Sequence, residues 1–246
     1  MNGMFFSNTA FNNGGSSDIN NWNTSKVTNM SEMFSGANKF NQNIGSWNTS
    51  VVTNMSSMFL NATLFNQNIG SWDVSKVTNF SIMFEFATAF NQNISGWNIG
   101  LSTTLVRTFR GATAFNQNIN SWNTSNVTTM AEIFRDTSYN QTITGWNTSK
   151  VTNMSQMFRD NDTFNQNIGV WDINQVTNFT NFMLDSNGFS TANYDAILVA
   201  WEAQAPSSGI SVNFGGSKYT LLSPAAIARA SLIATYGWTI TDGGGI

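Results

Sequence analysis

The sequence predicts an α/β repeat: a solenoid with one short parallel strand and one short helix per 25-residue coil, closed by a C-terminal β/α cap. Three observations predict it. Tryptophan recurs at Trp22, Trp47, Trp72, Trp97, Trp122, Trp146 and Trp171, a spacing of 25 residues broken once by 24. Phe34, Phe59, Phe84, Phe109, Phe134 and Phe158 keep the same step, as do Ile44, Ile69, Ile94, Ile119, Ile143 and Ile168. The period ends after Met183. Fixed periods of 20–50 residues are the mark of stacked supersecondary units that bury one continuous core. The expected organisation is a repeat region over 1–183, made of a partial first coil and seven Trp-marked units, and a capping segment over 184–246.

Within one unit, Ile44-x-x-Trp47-x-Thr49 alternates apolar and polar at its end, which predicts a very short strand with Trp47 and Thr49 inward. Ser50 opens a turn. Val52, Met55, Met58 and Phe59 then follow the i, i+3, i+6, i+7 spacing of a buried helical stripe, with Thr53 placed to cap its start. Ala62 permits close packing and Phe65 returns the chain to the core. The column Phe40, Phe65, Phe90, Phe115, Tyr139 and Phe164 is followed each time by Asn-Gln or, at Tyr139, Asn140-Gln141. Its asparagines, Asn41 through Asn165, are expected to form a ladder of amides satisfying turn groups that have no strand partner. Thr28, Thr53, Thr78, Thr103, Thr128, Thr152 and Thr177 form a hydroxyl column of the same regularity. The missing residue lies between Phe134 and Tyr139, so that stretch reads as a turn.

The two ends differ. Met1-x-x-Met4-Phe5 matches Met30-x-x-Met33-Phe34, so the chain begins partway through a coil, with four extra residues before Ile19. That bare edge is expected to meet an upstream segment or a neighbouring subunit. Past Met183, Ser190 is placed to cap a helix with the stripe Tyr194, Ile197, Leu198 and Trp201. A strand is expected at residues 210–214. Pro224 opens a second helix with Ile227, Ala230, Leu232 and Ile233, and Trp238-Thr-Ile closes as a strand.

Composition limits the chemistry. Only 9% of residues are charged, and the formal charge is −3 with ten basic residues. A surface of Asn, Ser, Thr, Gln and Gly follows, with little electrostatic steering and no footprint for nucleic acid. Without Cys or His there are no disulfides, thiolate nucleophiles, imidazole bases or usual zinc and haem ligands. No apolar run reaches the roughly 18 residues of a membrane span. Met1 through Phe6 show no signal peptide pattern of a basic segment followed by an apolar one.

The motif Val-Thr-Asn-Met-Ser-x-Met-Phe, then Phe-Asn-Gln-x-Ile-x-x-Trp-(Asn/Asp)-(Thr/Val)-Ser, resembles the bacterial surface-protein repeat of about 26 residues, grouped with the BspA-like leucine-rich repeats. The resemblance covers 1–183. The tail resembles that family's ending through Tyr194-x-x-Ile-Leu-x-x-Trp201, Tyr219, Arg229-x-x-Leu232 and Gly237-Trp-Thr-Ile-Thr-Asp-Gly-Gly244. It implies a leucine-rich-repeat-like right-handed solenoid and an extracellular or cell-surface location, with a virion as the other setting because related repeats occur in viral proteins. It implies no catalytic residue and no cofactor.

The expected binding face is the outward position after each Trp: Asn23, Asn48, Asp73, Asn98, Asn123, Asn147 and Asp172. Asp73 and Asp172 are four coils apart, roughly 19 Å at about 4.8 Å per strand, too far for a glycosidic carboxylate pair. Asp160-Asn161-Asp162 lacks the further ligands of a calcium loop, so no metal is expected. Arg107, Arg110, Arg135 and Arg159 lie on neighbouring coils as a possible basic stripe, or as a solvated face paired with Asp136 and Asp160. The expectation is a non-enzymatic module that binds a glycan or protein. The alternative is a structural subunit of a fibre, virion or filament that associates through its N-terminal coil.

Overall fold

The computed structural model describes residues 1–246, the whole chain. Successive 25-residue units lie directly on one another. Numbered by their tryptophans from Trp22 to Trp171, coils 1 to 7 are joined by parallel single-residue bridges running Asn29–Asn54–Asn79–Thr104–Thr129–Asn153–Asn178. Pairing therefore falls on the Val-Thr-Asn segment. It does not fall on the Trp47–Thr49 segment expected to be a strand, although Trp47 and Thr49 do point inward and are 3% and 2% exposed.

No α-helix forms in the repeats. Ser56 through Asn61, after the bridge at Asn54, is a run of turns, and the reason is a competition for amide hydrogens. In coil 2, the N–H groups of Met55, Ser57, Phe59 and Asn61 donate to the carbonyls of Asn79, Ser81, Met83 and Glu85 in the next coil. Those donors are then lost to the i→i−4 bonds of a helix. The remaining bonds are short, Met58 N–H to Met55 and Leu60 N–H to Ser57, and the turns need a left-handed residue. Ser57 (φ 56°) and Asn61 (φ 58°) supply it, and the same two positions are left-handed in coils 1 through 7. Apolar spacing of three and four residues fits these turns as well as a helix. Thr53 consequently caps nothing: its hydroxyl donates to the Thr28 carbonyl below, and the whole Thr28-to-Thr177 column is exposed.

Side chains complete the stacking. Each Trp indole N–H donates to the Ile carbonyl one coil back, from Trp47 on Ile19 at 2.8 Å to Trp171 on Ile143 at 3.1 Å. The asparagine ladder runs between coils: Asn41 Oδ1 accepts the backbone N–H of Asn66 and the amide of Gln67, and Asn66 Oδ1 repeats this for Asn91 and Gln92. Inside, the two Phe columns pair face to face, Phe59 with Phe65 at 3.9 Å, and stack on the next coil, Phe59 on Phe84 at 5.5 Å. The deletion is absorbed by polar substitutes in the alanine column. Buried Asn161 donates to the Thr137 hydroxyl and the Tyr139 carbonyl, so the Phe115–Tyr139 stacking survives at 6.1 Å. At the first coil, Gly3, Phe5 and Ser7 N–H groups donate to Ser31, Met33 and Ser35. The extra residues before Ile19 fold into 3-10 turns at Asn13–Gly15 and Ser17–Asn21. Met4 and Phe6 are exposed, 52% and 57%.

The last segment contains α1 (Thr191–Glu202), β1 (Ser211–Asn213), α2 (Pro224–Ala234) and β2 (Thr239–Thr241), with β1 and β2 parallel. Ser190 caps α1, which buries Tyr194, Ile197, Leu198 and Trp201. The segment also carries the ladders onward. Ser190 N–H takes Asn165 Oδ1, Trp201 indole N–H takes the Ile168 carbonyl at 3.3 Å, and Phe179 bridges Val212. One core of 63 buried residues runs from Ile19 to Trp238. In α2 the buried stripe is Ala225, Ala228 and Leu232. Ile227 and Ile233, expected inward, are 71% and 39% exposed, and Ala230 is exposed too, because small residues let α2 approach α1 closely. Asp242 ties the layers: it accepts from the Tyr194 hydroxyl and from Arg229, both at 2.7 Å.

Two substitutions test these contacts. Trp97→Phe removes one of the two hydrogen bonds on the Ile69 carbonyl, which keeps the Trp72 N–H, and leaves a void, and is expected to cost about 2–4 kcal/mol, read as a lower urea midpoint. Tyr139→Phe acts the other way. The Tyr139 hydroxyl is buried without a hydrogen-bond partner, and burial raises its pKa, opposed only by the Ile119 backbone. Removing the hydroxyl is expected to stabilise by about 1 kcal/mol.

Candidate binding surface

The residues after each Trp occupy a corner of every coil. Asn23, Asn48, Asp73, Asn98, Asn123 and Asn147 are exposed and Asp172 is half-buried. Each has a structural duty: its Oδ1 accepts the backbone N–H two residues on, from Ser25 at Asn23 to Asn174 at Asp172, at 3.0–3.1 Å. These are Asx turns, which use short side-chain oxygens to stand in for a backbone carbonyl. At Asp73 the same contact with Ser75, through hydroxyl and backbone, holds the carboxyl below its ordinary range, with a further contribution from Lys76. Behind the corner, buried Thr49 and Thr148 donate to the carbonyls of Asp73 and Asp172 in the next coil. What the column turns outward is the Nδ2 group of its five asparagines, none of which is bonded within the chain.

The four arginines are brought together, but not as a basic stripe. Glu132 is only 6% exposed and receives Arg107 at 2.8 Å, Arg135 at 3.1 Å and Arg110 at 3.2 Å. Arg110 also reaches Glu85, and Arg159 pairs with Asp160 and Asp185. Opposed influences set the two glutamates. Burial raises the Glu85 carboxyl and outweighs the attraction of Arg110 and Arg107. Burial would raise Glu132 as well, but the hydrogen bond from Arg107 and the charges of Arg107, Arg110 and Arg135 hold it below its ordinary value. The Nε atoms of Arg110 and Arg135 lie 3.5 and 3.4 Å from Asp136 without a hydrogen bond. Arg110 also lies over the Phe86 ring at 5.4 Å. A compensated cluster of this kind fastens coils 3 to 7 together and presents little net charge.

The acidic triplet at 160–162 does not converge. Asp160 faces Arg159, Asp162 accepts the Asn187 N–H, and Asn161 is turned inward. No group of three or more acidic side chains is arranged to hold a metal ion.

Two depressions were not legible as sites in the sequence. One, about 400 Å³, is lined only by polar residues: Asn93, Ser95, Gln117, Asn118, Asn120 and Ser121. Its signal is faint, a Ser and an Asn where coils 2, 3 and 7 carry Gly45, Gly70 and Gly169. The other, about 470 Å³, lies where α1 meets the start of α2, around Ala196, Val199, Ala200 and Pro224. No helix is long and apolar enough to cross a membrane.

A family model described as Mycoplasma protein of unknown function, DUF285, matches residues 1–104 and again 101–196. The matched stretch takes in the whole repeat region and the beginning of α1. No curated protein and no solved structure matches the chain.

The arginine cluster generates a specific expectation. Glu132→Gln leaves three arginines short of their shared counter-charge and is expected to cost about 1–3 kcal/mol. Adding 1 M NaCl should recover part of that loss, and an unchanged thermal midpoint would mean that the cluster contributes nothing.

Proposed function

The chain belongs to the family described as Mycoplasma protein of unknown function, DUF285, and we propose that it is a non-enzymatic binding or adhesion module, exposed at a cell surface, that recognises a glycan or a protein. We further propose that the repeat region is a right-handed solenoid of the leucine-rich-repeat kind, related to the BspA-like surface repeats.

The observation that carries the binding reading is the corner column. In five coils an outward amide is held in a fixed orientation, because its own oxygen is committed to the turn. Ligand recognition then requires little ordering of the protein, which lowers the entropic cost of association. The adjacent Thr column is exposed in all seven coils, so a broad neutral hydrogen-bonding face lies along the stack. With the arginines paired internally, long-range attraction contributes little.

Capture on arrays of glycans and host-surface proteins tests this reading, and a folded protein that captures nothing would sink it. For any ligand found, affinity is expected to change by less than about twofold between low and high salt, because charge pairing across the interface is minor. A steep loss of binding with salt would point to the arginines instead.

A further inference from the structure

The neutral depression between coils 4 and 5 is bordered by Ser95 and Asn120, at a position that is glycine in coils 2, 3 and 7 and Asn20 and Thr144 in coils 1 and 6. In coils 2 and 3, Gly45 and Gly70 sit under the next coil so closely that a Cβ would fall 2.7 Å from the Asn68 carbonyl and 2.5 Å from the Asn93 carbonyl. Such approaches are possible only for glycine. The equivalent residue in coil 4 is Ser95, which has that Cβ, so the Asn118 carbonyl cannot descend onto it. In coil 5 the equivalent is Asn120. The corner is held open there, and the resulting groove of about 400 Å³ is lined by side chains from both coils.

The groove's hydrogen-bonding groups are sorted by the turns around it. Asn93 Oδ1 and Asn118 Oδ1 accept the N–H groups of Ser95 and Asn120, and Asn120 Oδ1 accepts that of Gly145. The three Nδ2 groups are left as donors. Gln117 spends its amide N–H on Asn91, which leaves its Oε1 as an acceptor. The Ser95 hydroxyl is free to do either, and no charged group lines the groove. Donors and acceptors lie side by side. A sulfate or phosphate only accepts, and would set its oxygens against Gln117 Oε1. A sugar ring offers vicinal hydroxyls that donate and accept at once.

We propose that this groove is a subsite for a single neutral monosaccharide unit. The proposal rests on the glycan form of the binding reading above, and it places one contact point at a defined break in the repeat. The volume is near the lower end of small-ligand sites, roughly 300–1,000 Å³, which suits one ring. No aromatic face is available for stacking, so the affinity of one ring is expected on the order of 1 mM.

The test is an NMR titration of the ¹⁵N-labelled full chain with neutral methyl glycosides of glucose, galactose, mannose and N-acetylglucosamine. At least one is expected to give saturable shifts at the backbone and side-chain amides of Ser95, Gln117, Asn118 and Asn120. Ser95→Gly and Asn120→Gly restore the residue used at the same position in other coils, so each is expected to keep the fold while closing the groove and weakening binding about tenfold or more. Should either variant unfold, Ser95→Ala and Asn120→Ala remove the polar groups with the groove open, and the same weakening is expected. Absence of shifts with all four glycosides overturns the subsite. So do shifts confined to the asparagines after each Trp, binding untouched by the variants, or equal displacement by sulfate. Glycan capture on an array alongside any of these results would leave the broader binding reading standing without the subsite.

Discussion

The amide hydrogens that reach from one coil to the next are the constraint on which this structure depends. Once Met55, Ser57, Phe59 and Asn61 donate to the coil above, the segment cannot be helical, and alternate residues must turn. Two left-handed residues per coil follow, including bulky ones such as Ile82 (φ 66°) and Phe86 (φ 56°). Each such residue costs about 1–2 kcal/mol relative to a right-handed one, a strain that only a stacked neighbour offsets. The same geometry requires Gly111, whose Cβ would run into the Phe86 ring. A coil taken alone would lose both the bonds and the reason for its shape. Stability is therefore shared between neighbours, as in other repeat arrays.

Coils made largely of turns leave many backbone groups without strand partners, and the asparagines answer this need. One set closes turns within its own coil, at positions after Trp, after Gln and after Thr. Another set reaches across coils through Asn41, Asn66 and their equivalents. A side-chain amide is well suited to both tasks, since its oxygen accepts while its nitrogen remains available. The surface is neutral and rich in amides because the backbone needs those oxygens. Charge plays a separate part, in the arginine and glutamate cluster that fastens coils 3 to 7 and in the Arg229–Asp242 pair of the C-terminal segment.

The C-terminal segment looks like a different fold in sequence but obeys the same ladders. Ser190 and Asn193 end the asparagine ladder on Asn165, Trp201 takes the next place in the tryptophan column, and β1 continues the bridging line. Two helices replace the turns, shielding the last aromatic layer where no further coil follows. The edge-on contacts of Phe182 with Phe158 and Phe214 mark where parallel ring stacking gives way to this different packing.

By itself the sequence determined the period, the inward columns of Trp, Phe and Ile, the asparagine ladder and the helix capped by Ser190. The columns depend on which residues are apolar, since burial follows hydrophobicity whatever the backbone does locally, and the ladder and the cap on the short polar side chains of Asn and Ser. Only the tertiary structure decided that Val52–Ala62 is a bridge at Asn54 followed by turns over Ser56–Asn61 and not a helix, because a three-and-four spacing is common to both and the choice lies with carbonyls 24 residues away. It also decided that the residues after Trp close turns with their side-chain oxygens, and that the arginines neutralise buried glutamates. The groove between coils 4 and 5 belongs to the same class. Ser95 and Asn120 are ordinary residues in one dimension, and they become an opening only when a neighbouring carbonyl has nowhere to settle.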